Sequence, residues 1–302
     1  MSGPKGLLKA ELELAISRAG AQLSAPGRHS YASRLAAIDA LEVQVFDRIG
    51  PVKQPDLVIR SLKARAQQLA KELRAGNRAI LQALMARIRR GRLRGPALLR
   101  ELLLQAGKAG EAGAFDDLDC LVAELLQFAD APKEQKRLES GMTAYQPCPA
   151  RVIVGMLKKA ALGPKDVFYD LGSGLGRVTL MAAMLTRAKA KGVEYEPAFC
   201  RYARRSAKRL GLKDVSFVCA DARKASLDDG TFFFLYTPFV GDILAQALDR
   251  LRLIAQHKAI KVCAFGPCVR EVARAPWLKA KGPLPPEPGV VVIFEPVLAA
   301  RS

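Results

Sequence analysis

Residues 167–178 read V-F-Y-D-L-G-S-G-L-G-R-V, and this stretch decides the fold class of the second half of the chain. A short apolar run ends in three glycines at alternate positions, and Asp170 stands two residues before the first of them. This pattern is typical of a β-strand that turns sharply into an α-helix. In parallel sheets, ligands bind at the carboxyl ends of the strands, so we expect this loop to lie in a binding site.

The spacing of the three glycines indicates which ligand the loop accepts. Gly172 suits a tight turn, Gly174 lets a ligand approach the backbone, and Gly176 lets the following helix pack closely. The order G-x-G-x-G differs from the G-x-G-x-x-G of dinucleotide-binding loops. A carboxylate at Asp170 would repel a pyrophosphate, whereas it would stabilise a cationic ligand.

From about residue 141 onward, short β-branched or aromatic runs alternate with helical stretches. This alternation predicts a mostly parallel sheet covered by helices on both faces and closed by a hairpin-like last strand. The predicted strands are Val167–Leu171, Ala190–Glu194, Val215–Cys219, Phe232–Tyr236, Ala259–Phe265 and Val290–Glu295. The predicted helices are Leu175–Arg187, Pro197–Gly211, Gly241–Gln256 and Pro267–Arg274.

The run D-L-G-S-G-L-G resembles the first motif of class I S-adenosylmethionine-dependent methyltransferases. The resemblance implies a Rossmann-like, seven-stranded, mostly parallel sheet over residues 141–302, with S-adenosylmethionine as the cofactor. It implies that Glu194 holds the two ribose hydroxyls and that Asp221 meets the adenine amino group. The loop would curl around the methionine end of the cofactor, through Asp170, Gly172, Ser173, Gly174 and Gly176.

The segment T-A-Y-Q-P-C-P, residues 143–149, is similar to the one that leads into the glycine loop of protein-lysine methyltransferases. The similar groups are the histone-lysine enzymes of the telomeric-silencing type and small mitochondrial lysine methyltransferases. The resemblance implies that Thr143 and Tyr145 cover the cofactor. Cys148 stands where a small hydroxyl residue is commoner in those groups. A plain loop before a helix is the alternative account of Tyr145.

The fourth predicted strand ends in Tyr236, Thr237, Pro238 and Phe239, which we predict to form the catalytic wall of the acceptor channel. Amine-modifying relatives carry [DNS]-P-P-[FYW] here, so Thr237 departs from that pattern and one proline remains. A buried strand end with a proline stop is the alternative. We expect N-methylation of a protein lysine by in-line displacement, with an RNA or small-molecule acceptor, or cofactor binding without transfer, as alternatives.

Residues 1–140 differ from the rest because their apolar residues recur at three- and four-residue spacing. We therefore expect an all-helical domain of unknown role in residues 1–140 and the methyltransferase domain in residues 141–302. Gly91 predicts a helix end and Gly95-Pro96 the next helix start. A basic cluster before and between them either contacts phosphates or only stabilises helix ends: Arg87, Arg89, Arg90, Arg92 and Arg94.

The whole chain has 302 residues and a formal net charge of +19. Such a charge favours anionic partners, so nucleic acid fits as well as an acidic protein surface. The two histidines and six scattered cysteines give little material for a metal site or for Ser-His or Cys-His catalysis, and we expect no metal. The sequence has no long uncharged apolar run, so we expect no membrane span and a cytoplasmic protein.

Overall fold

The computed structural model describes residues 4–24, 30–111, 113–128, 132–284 and 289–297. The chain divides into two compact units. The first comprises Met1–Met85, Arg100–Gly110 and Asp116–Leu121, and the second comprises Ala86–Leu99, Glu111–Phe115 and Val122–Ser302. The domain boundary near residue 140, which rests on sequence character, stays a prediction. Within the described ranges, no helix combines the length and apolar character that crossing a membrane requires.

The N-terminal part of the chain is helical, as the three- and four-residue spacing predicted. No strand forms among the described residues before 141. In the first unit, buried side chains such as Leu12, Ile38, Leu41 and Leu73 form one apolar cluster. The helices are α1 Pro4–Ser24, α2 Tyr31–Leu41, a π-helical turn at Glu42–Phe46, α3 Asp47–Ile49, α4 Leu57–Arg89, α5 Gly95–Ala106 and α6 Asp117–Leu126.

The second unit contains a seven-stranded sheet with the order β3-β2-β1-β4-β5-β7-β6. The first five strands are parallel, β7 is antiparallel to β5, and β6 is antiparallel to β7. The strands are β1 Val167–Leu171, β2 Lys189–Glu194, β3 Val215–Cys219, β4 Phe232–Tyr236, β5 Lys261–Phe265, β6 Leu278–Ala280 and β7 Val292–Pro296. The predicted mostly parallel, Rossmann-like architecture is confirmed.

Five further helices follow in the second unit, and the four predicted ones differ from the observed bounds by only a few residues. They are α7 Ala150–Ala160, α8 Arg177–Leu185, α9 Pro197–Arg209, α10 Gly241–Ala255 and α11 Cys268–Val272. The three-residue strand β6 was not among the strands located from the sequence. Its residues, L-K-A, carry too short a pattern to predict a strand.

The sheet order fixes where a ligand can bind. Strand β1 lies between β2 and β4, so the chain leaves β1 toward one side of the sheet and later returns to the other side. The crevice that such a reversal opens at the carboxyl ends of the strands is the usual ligand site in α/β sheets. The glycine loop follows β1 directly, at residues 172–176, and therefore borders this crevice.

Candidate active site

A cavity of about 540 Å³ opens at the carboxyl ends of the parallel strands. Its volume lies within the usual range for small-molecule sites. The residues after β1, β2, β3, β4 and β5 all contribute to its walls. A further wall comes from residues 134–146, which precede α7 and which we call the cover segment. Every residue that the sequence predicted to bind the cofactor lines this cavity except Gly176.

The glycine loop is held against the end of β2 by its backbone. The N–H groups of Gly172 and Ser173 donate to the carbonyl oxygen of Val193, at 2.8 and 3.0 Å. All three glycines have positive φ, which other residues rarely adopt. A Cβ built at Gly174 would lie 2.3 Å from the Tyr145 ring. The lack of a side chain at Gly174 thus lets the cover segment approach the loop.

Gly176 lies outside the cavity lining and serves packing. It is the N-cap residue of α8, with φ +86°. A Cβ there would lie 2.8 Å from atoms of both Ala203 and Phe217. The predicted role of this glycine in close helix packing agrees with these distances, and its role in cofactor binding stays a prediction.

Asp170, in β1, is 3% exposed and lines the cavity. Its carboxylate accepts a hydrogen bond of 2.8 Å from the Thr179 hydroxyl of α8. Burial raises the pKa of this carboxyl to about 7. A cationic ligand group nearby would favour the charged form and lower that pKa. The arrangement suits a ligand with an ammonium group.

Glu194, the last residue of β2, is 9% exposed and holds the loop as well as facing the cavity. One carboxylate oxygen accepts a hydrogen bond of 2.7 Å from the N–H of Gly174. The other accepts one of 2.7 Å from the N–H of Glu196. Burial raises its pKa. Because each carboxylate oxygen can accept two hydrogen bonds, both retain capacity for a pair of ribose hydroxyls.

Asp221 follows β3 and lines the cavity, but its carboxylate is largely engaged by Arg223. The Arg223 guanidinium donates to both carboxylate oxygens, and the Arg223 N–H donates to one of them at 2.8 Å. This pairing lowers the pKa of Asp221. Arg223 also reaches Glu139 of the cover segment at 2.7 Å. The predicted contact of Asp221 with adenine stays a prediction, and the sequence reasoning missed its arginine partner.

Thr143 makes two hydrogen bonds that connect the cover segment to the loop after β4. Its N–H donates to the carbonyl oxygen of Pro238 at 3.1 Å, and its hydroxyl donates to the carbonyl oxygen of Thr237. The Val240 N–H donates to the carbonyl oxygen of Gly141 at 2.8 Å. This short antiparallel contact, with Met142 opposite Phe239, joins the cover segment to the residues after β4.

The hydroxyls of Tyr145 and Ser173, both in the cavity wall, are buried and have no hydrogen-bond partner among the described residues. Burial raises the pKa of Tyr145 to about 12, so the hydroxyl keeps its proton and can donate. Its ring packs edge-on against Phe199, with centroids 5.5 Å apart. Buried polar groups are normally paired, so these two hydroxyls fit a polar ligand such as a carboxylate. S-adenosylmethionine offers a carboxylate, an ammonium and two ribose hydroxyls to the residues described above.

The four residues predicted as the acceptor wall all line the cavity, but in different ways. Tyr236 is partly exposed, and its ring centroid lies 4.9 Å from that of Phe265. Pro238 lies over the glycine loop, since a Cβ at Gly172 would lie 2.2 Å from its Cβ. Phe239 is 5% exposed and belongs to the apolar core, so it has a structural role as well.

Thr237 has an unusual backbone, with φ +43°. Its hydroxyl donates to the carbonyl oxygen of Phe265 and accepts from the N–H of Cys268, each at 3.2 Å. The side chain therefore connects the end of β5 to the start of α11. The predicted catalytic role of Thr237 stays a prediction, and these two contacts account for its hydroxyl.

The sequence reasoning missed Glu196, which is 4% exposed and lies at the N-cap of α9. Its carboxylate accepts from the N–H of Ala198 at 2.8 Å and from the N–H groups of Gln135 and Lys136 at 2.8 and 2.7 Å. An acidic residue directly before a proline at a predicted helix start was the available signal. The carboxylate oxygen that accepts from Gln135 and Lys136 holds the cover segment in place. Because these partners are distant in the sequence, no local pattern predicts the contact.

Comparison with known protein families gives a match over part of the chain. Residues 141–233 match the family described as Histone methylation protein DOT1. No curated protein matches the sequence.

Among solved structures, the chain is similar to an RNA methyltransferase from Salinibacter ruber in complex with S-adenosyl-L-homocysteine. The identity is 27%, over 52% of this chain and 98% of that chain, with a TM-score of 0.41. A SAM-dependent methyltransferase from Aquifex aeolicus is 16% identical, over 48% of this chain and 89% of that chain, with a TM-score of 0.40.

The structure has the seven-stranded, mostly parallel sheet that the resemblance to class I methyltransferases implied, with the glycine loop and the strand-end carboxylates at one cavity. The family match covers the part of the chain from the cover segment to β4. The chain is therefore a class I S-adenosylmethionine-dependent methyltransferase.

Proposed function

We propose that this enzyme N-methylates a lysine side chain of a protein. The observation that carries the proposal is the match of residues 141–233 to a histone methylation family. That stretch includes the cover segment's Thr143 and Tyr145, the glycine loop and the first two residues of β4. The aromatic residues that line the cavity at the ends of β4 and β5 support the same acceptor.

Aromatic residues at the ends of β4 and β5 form one wall of the cavity. The ring planes of Tyr236 and Phe265 are tilted by 32° against each other, and Gly266 and Pro267 line the same cavity. An aromatic face accommodates both the apolar stem of a lysine and its cationic head.

The cofactor supplies a methyl group on a sulfonium, which makes the carbon electrophilic. The chain's residues need only align a neutral amine with that carbon and keep water out. The cover segment limits water access, because it is tied to Glu196, to Arg223 and to residues 237–240. A lysine that enters this partly apolar cavity has a lowered pKa, which favours the neutral, nucleophilic form.

The experiment that tests this function transfers labelled methyl groups from S-adenosylmethionine to a lysate of the source organism. The labelled material is then treated with protease or with nuclease, and the protein fraction is hydrolysed for amino-acid analysis. We expect protease-sensitive label that elutes as methylated lysine. The Glu194→Ala enzyme provides the control for cofactor-dependent transfer. Label that survives protease and disappears with nuclease would contradict the lysine proposal in favour of RNA.

The pH profile provides a second test with the labelled protein acceptor. If a neutral lysine attacks, the rate at subsaturating acceptor should rise from pH 7 toward the unperturbed lysine pKa of about 10.4, or level off earlier if the cavity lowers that pKa. Tyr236→Ala should lower kcat/KM for the acceptor about tenfold or more while the Kd for S-adenosylhomocysteine changes less than about twofold. Equal losses in both quantities would place Tyr236 in the cofactor site.

A further inference from the structure

The second unit carries a dense group of exposed basic side chains at the edge where β2 and β3 begin. Three stretches contribute, residues 86–99, 185–190 and 207–214, and together they hold ten basic residues and one acidic residue. We call the exposed members the basic edge. They are Arg87, Arg89, Arg90, Arg92, Arg187, Lys189, Lys208 and Lys213.

The three stretches meet in space, so the basic edge is one surface. A Cβ built at Gly211 would lie 3.1 Å from the carbonyl oxygen of Arg89. A Cβ built at Gly95 would lie 3.9 Å from the carbonyl oxygen of Leu185. The segment from Arg89 to Gly95 therefore runs along the sheet edge, from the end of α9 to the end of α8.

Internal contacts explain only part of this charge. Asp214, the one acidic residue of the three stretches, lies 3.9 Å from Arg94, and Arg209 donates to the carbonyl oxygen of Leu126 at 2.8 Å. Basic residues in the last turn of a helix interact favourably with its dipole. Five members of the basic edge lie outside helices and lack that explanation: Arg90, Arg92, Arg187, Lys189 and Lys213. Their mutual repulsion favours an anionic partner.

The chemistry of the basic edge indicates which anionic partner fits. None of the exposed large apolar side chains of the described residues lies in the three stretches. Protein interfaces usually centre on such apolar or aromatic anchors, whereas a phosphate backbone needs only cationic and polar contacts. The stretches also contain no Phe, Trp or Tyr, so they offer no ring for stacking of single-stranded bases.

We propose that the basic edge binds the phosphate backbone of a double-stranded nucleic acid. The binding is independent of base sequence, because guanidinium and ammonium groups contact only phosphates there. The surface lies where the parallel strands begin, and the methyl-transfer cavity lies where they end. The duplex is thus a docking partner that holds the enzyme near its acceptor, and the acceptor itself is a separate molecule.

The test measures fluorescence anisotropy of the full-length chain with a labelled duplex DNA, a duplex RNA and a single-stranded RNA of equal length. One variant carries Arg90→Ala, Arg92→Ala and Lys213→Ala. The matched control removes three exposed charges near the other end of the sheet, by Arg252→Ala, Lys279→Ala and Lys281→Ala. Affinity for S-adenosylhomocysteine reports whether each variant keeps its fold.

We expect one of the two duplexes to bind most tightly, and its identity distinguishes DNA from RNA. The first variant should bind that duplex about 10- to 100-fold more weakly, with the slope of log K against log salt reduced by about two to three. The control should change affinity less than about threefold. Equal losses in the two variants, no loss in the first, tighter binding of the single strand, or equal competition by poly-glutamate would each overturn the proposal.

Discussion

Glu194 connects the glycine loop and the cavity through one carboxylate, which accepts from the N–H groups of Gly174 and Glu196. Removing a charged hydrogen-bond acceptor costs about 2–3 kcal/mol. We therefore expect Glu194→Ala to weaken binding of S-adenosylhomocysteine about 30- to 150-fold by calorimetry. Glu295→Ala, in the distant strand β7, should leave the affinity unchanged. A folded Glu194→Ala enzyme with normal affinity would remove Glu194 from the cofactor site.

Asp170 gives the cofactor affinity a pH dependence, because burial raises its pKa to about 7 in the ligand-free protein. An ammonium group prefers the charged carboxylate, so the affinity should rise with pH up to about 7. We expect about a tenfold gain in affinity for S-adenosylhomocysteine between pH 5.5 and pH 7. Asp170→Asn should bind more weakly and show no such rise. A wild-type affinity that is constant over this range would contradict the assignment.

The same raised pKa predicts how stability depends on pH. Between the unfolded pKa of about 3.9 and the folded pKa of about 7, the folded carboxyl holds a proton that the unfolded one has lost. The contribution of Asp170 to the free energy of unfolding therefore falls as pH rises through this window. In urea titrations of the ligand-free protein, we expect Asp170→Asn to lose that part of the pH dependence. An unchanged profile would show that the carboxyl is already ionised at pH 5.

Individual site residues could be predicted from the sequence where their place at the end of a strand, or a family resemblance, indicates a role. Asp170 was expected at the cavity because it stands near the carboxyl end of a predicted parallel strand. Glu194 was expected there because the resemblance to class I methyltransferases implied it. The pairing of Asp221 with Arg223 depends on the local turn, and the two contacts of the Thr237 hydroxyl depend on where β5 ends. Such contacts are set by tertiary structure, and spacing along the chain does not encode them.

The cover segment depends on Glu196 at the element scale. Glu196 caps α9 and accepts from the N–H groups of Gln135 and Lys136. Glu196→Ala should lower the free energy of unfolding by about 1–3 kcal/mol and should speed tryptic cleavage after Lys136 and Arg137. Glu134→Ala, at an exposed position of the same segment, is the control. Cleavage at the wild-type rate in Glu196→Ala would show that the contacts do not hold the segment.

Two glycines in helical regions provide a matched pair of substitutions. Gly176→Ala places a Cβ 2.8 Å from Ala203 and Phe217 at a φ of +86°, so we expect a loss of about 1–3 kcal/mol in urea unfolding. Gly155 lies inside α7, and a Cβ there meets nothing within 4 Å. Gly155→Ala should therefore stabilise the protein by up to about 1 kcal/mol. A neutral Gly176→Ala would mean that α8 does not pack as described.

Most elements of the second unit follow from their sequence patterns. Strands β1, β3 and β4 have the predicted bounds, because their apolar runs are flanked by turn residues or polar residues. Helix α8 is shorter than predicted, since Leu175 and Gly176 belong to the loop. Strand β6 lies at the sheet edge and pairs only with β7. A strand of three residues without a recognisable sequence pattern can therefore form there.

At the scale of the whole molecule, the net charge of +19 predicts an anionic partner but cannot say where it binds. The sequence gives no direct sign that residues 86–99 join the second unit, because their neighbours along the sheet edge lie about 100 residues later. The three-dimensional arrangement brings these arginines beside the lysines that precede β3. The basic edge is therefore a property of the fold, although its residue types are visible in the sequence.

The central claim is that S-adenosylmethionine binds at the carboxyl ends of the parallel strands, under the cover segment. A crystal structure of the complex with S-adenosylhomocysteine tests it most directly. We predict ribose hydroxyls within hydrogen-bond distance of Glu194, the amino-acid end at the glycine loop near Tyr145 and Ser173, and the sulfur directed toward Tyr236. A ligand bound elsewhere, or one in this cavity without a contact to Glu194, would contradict the account.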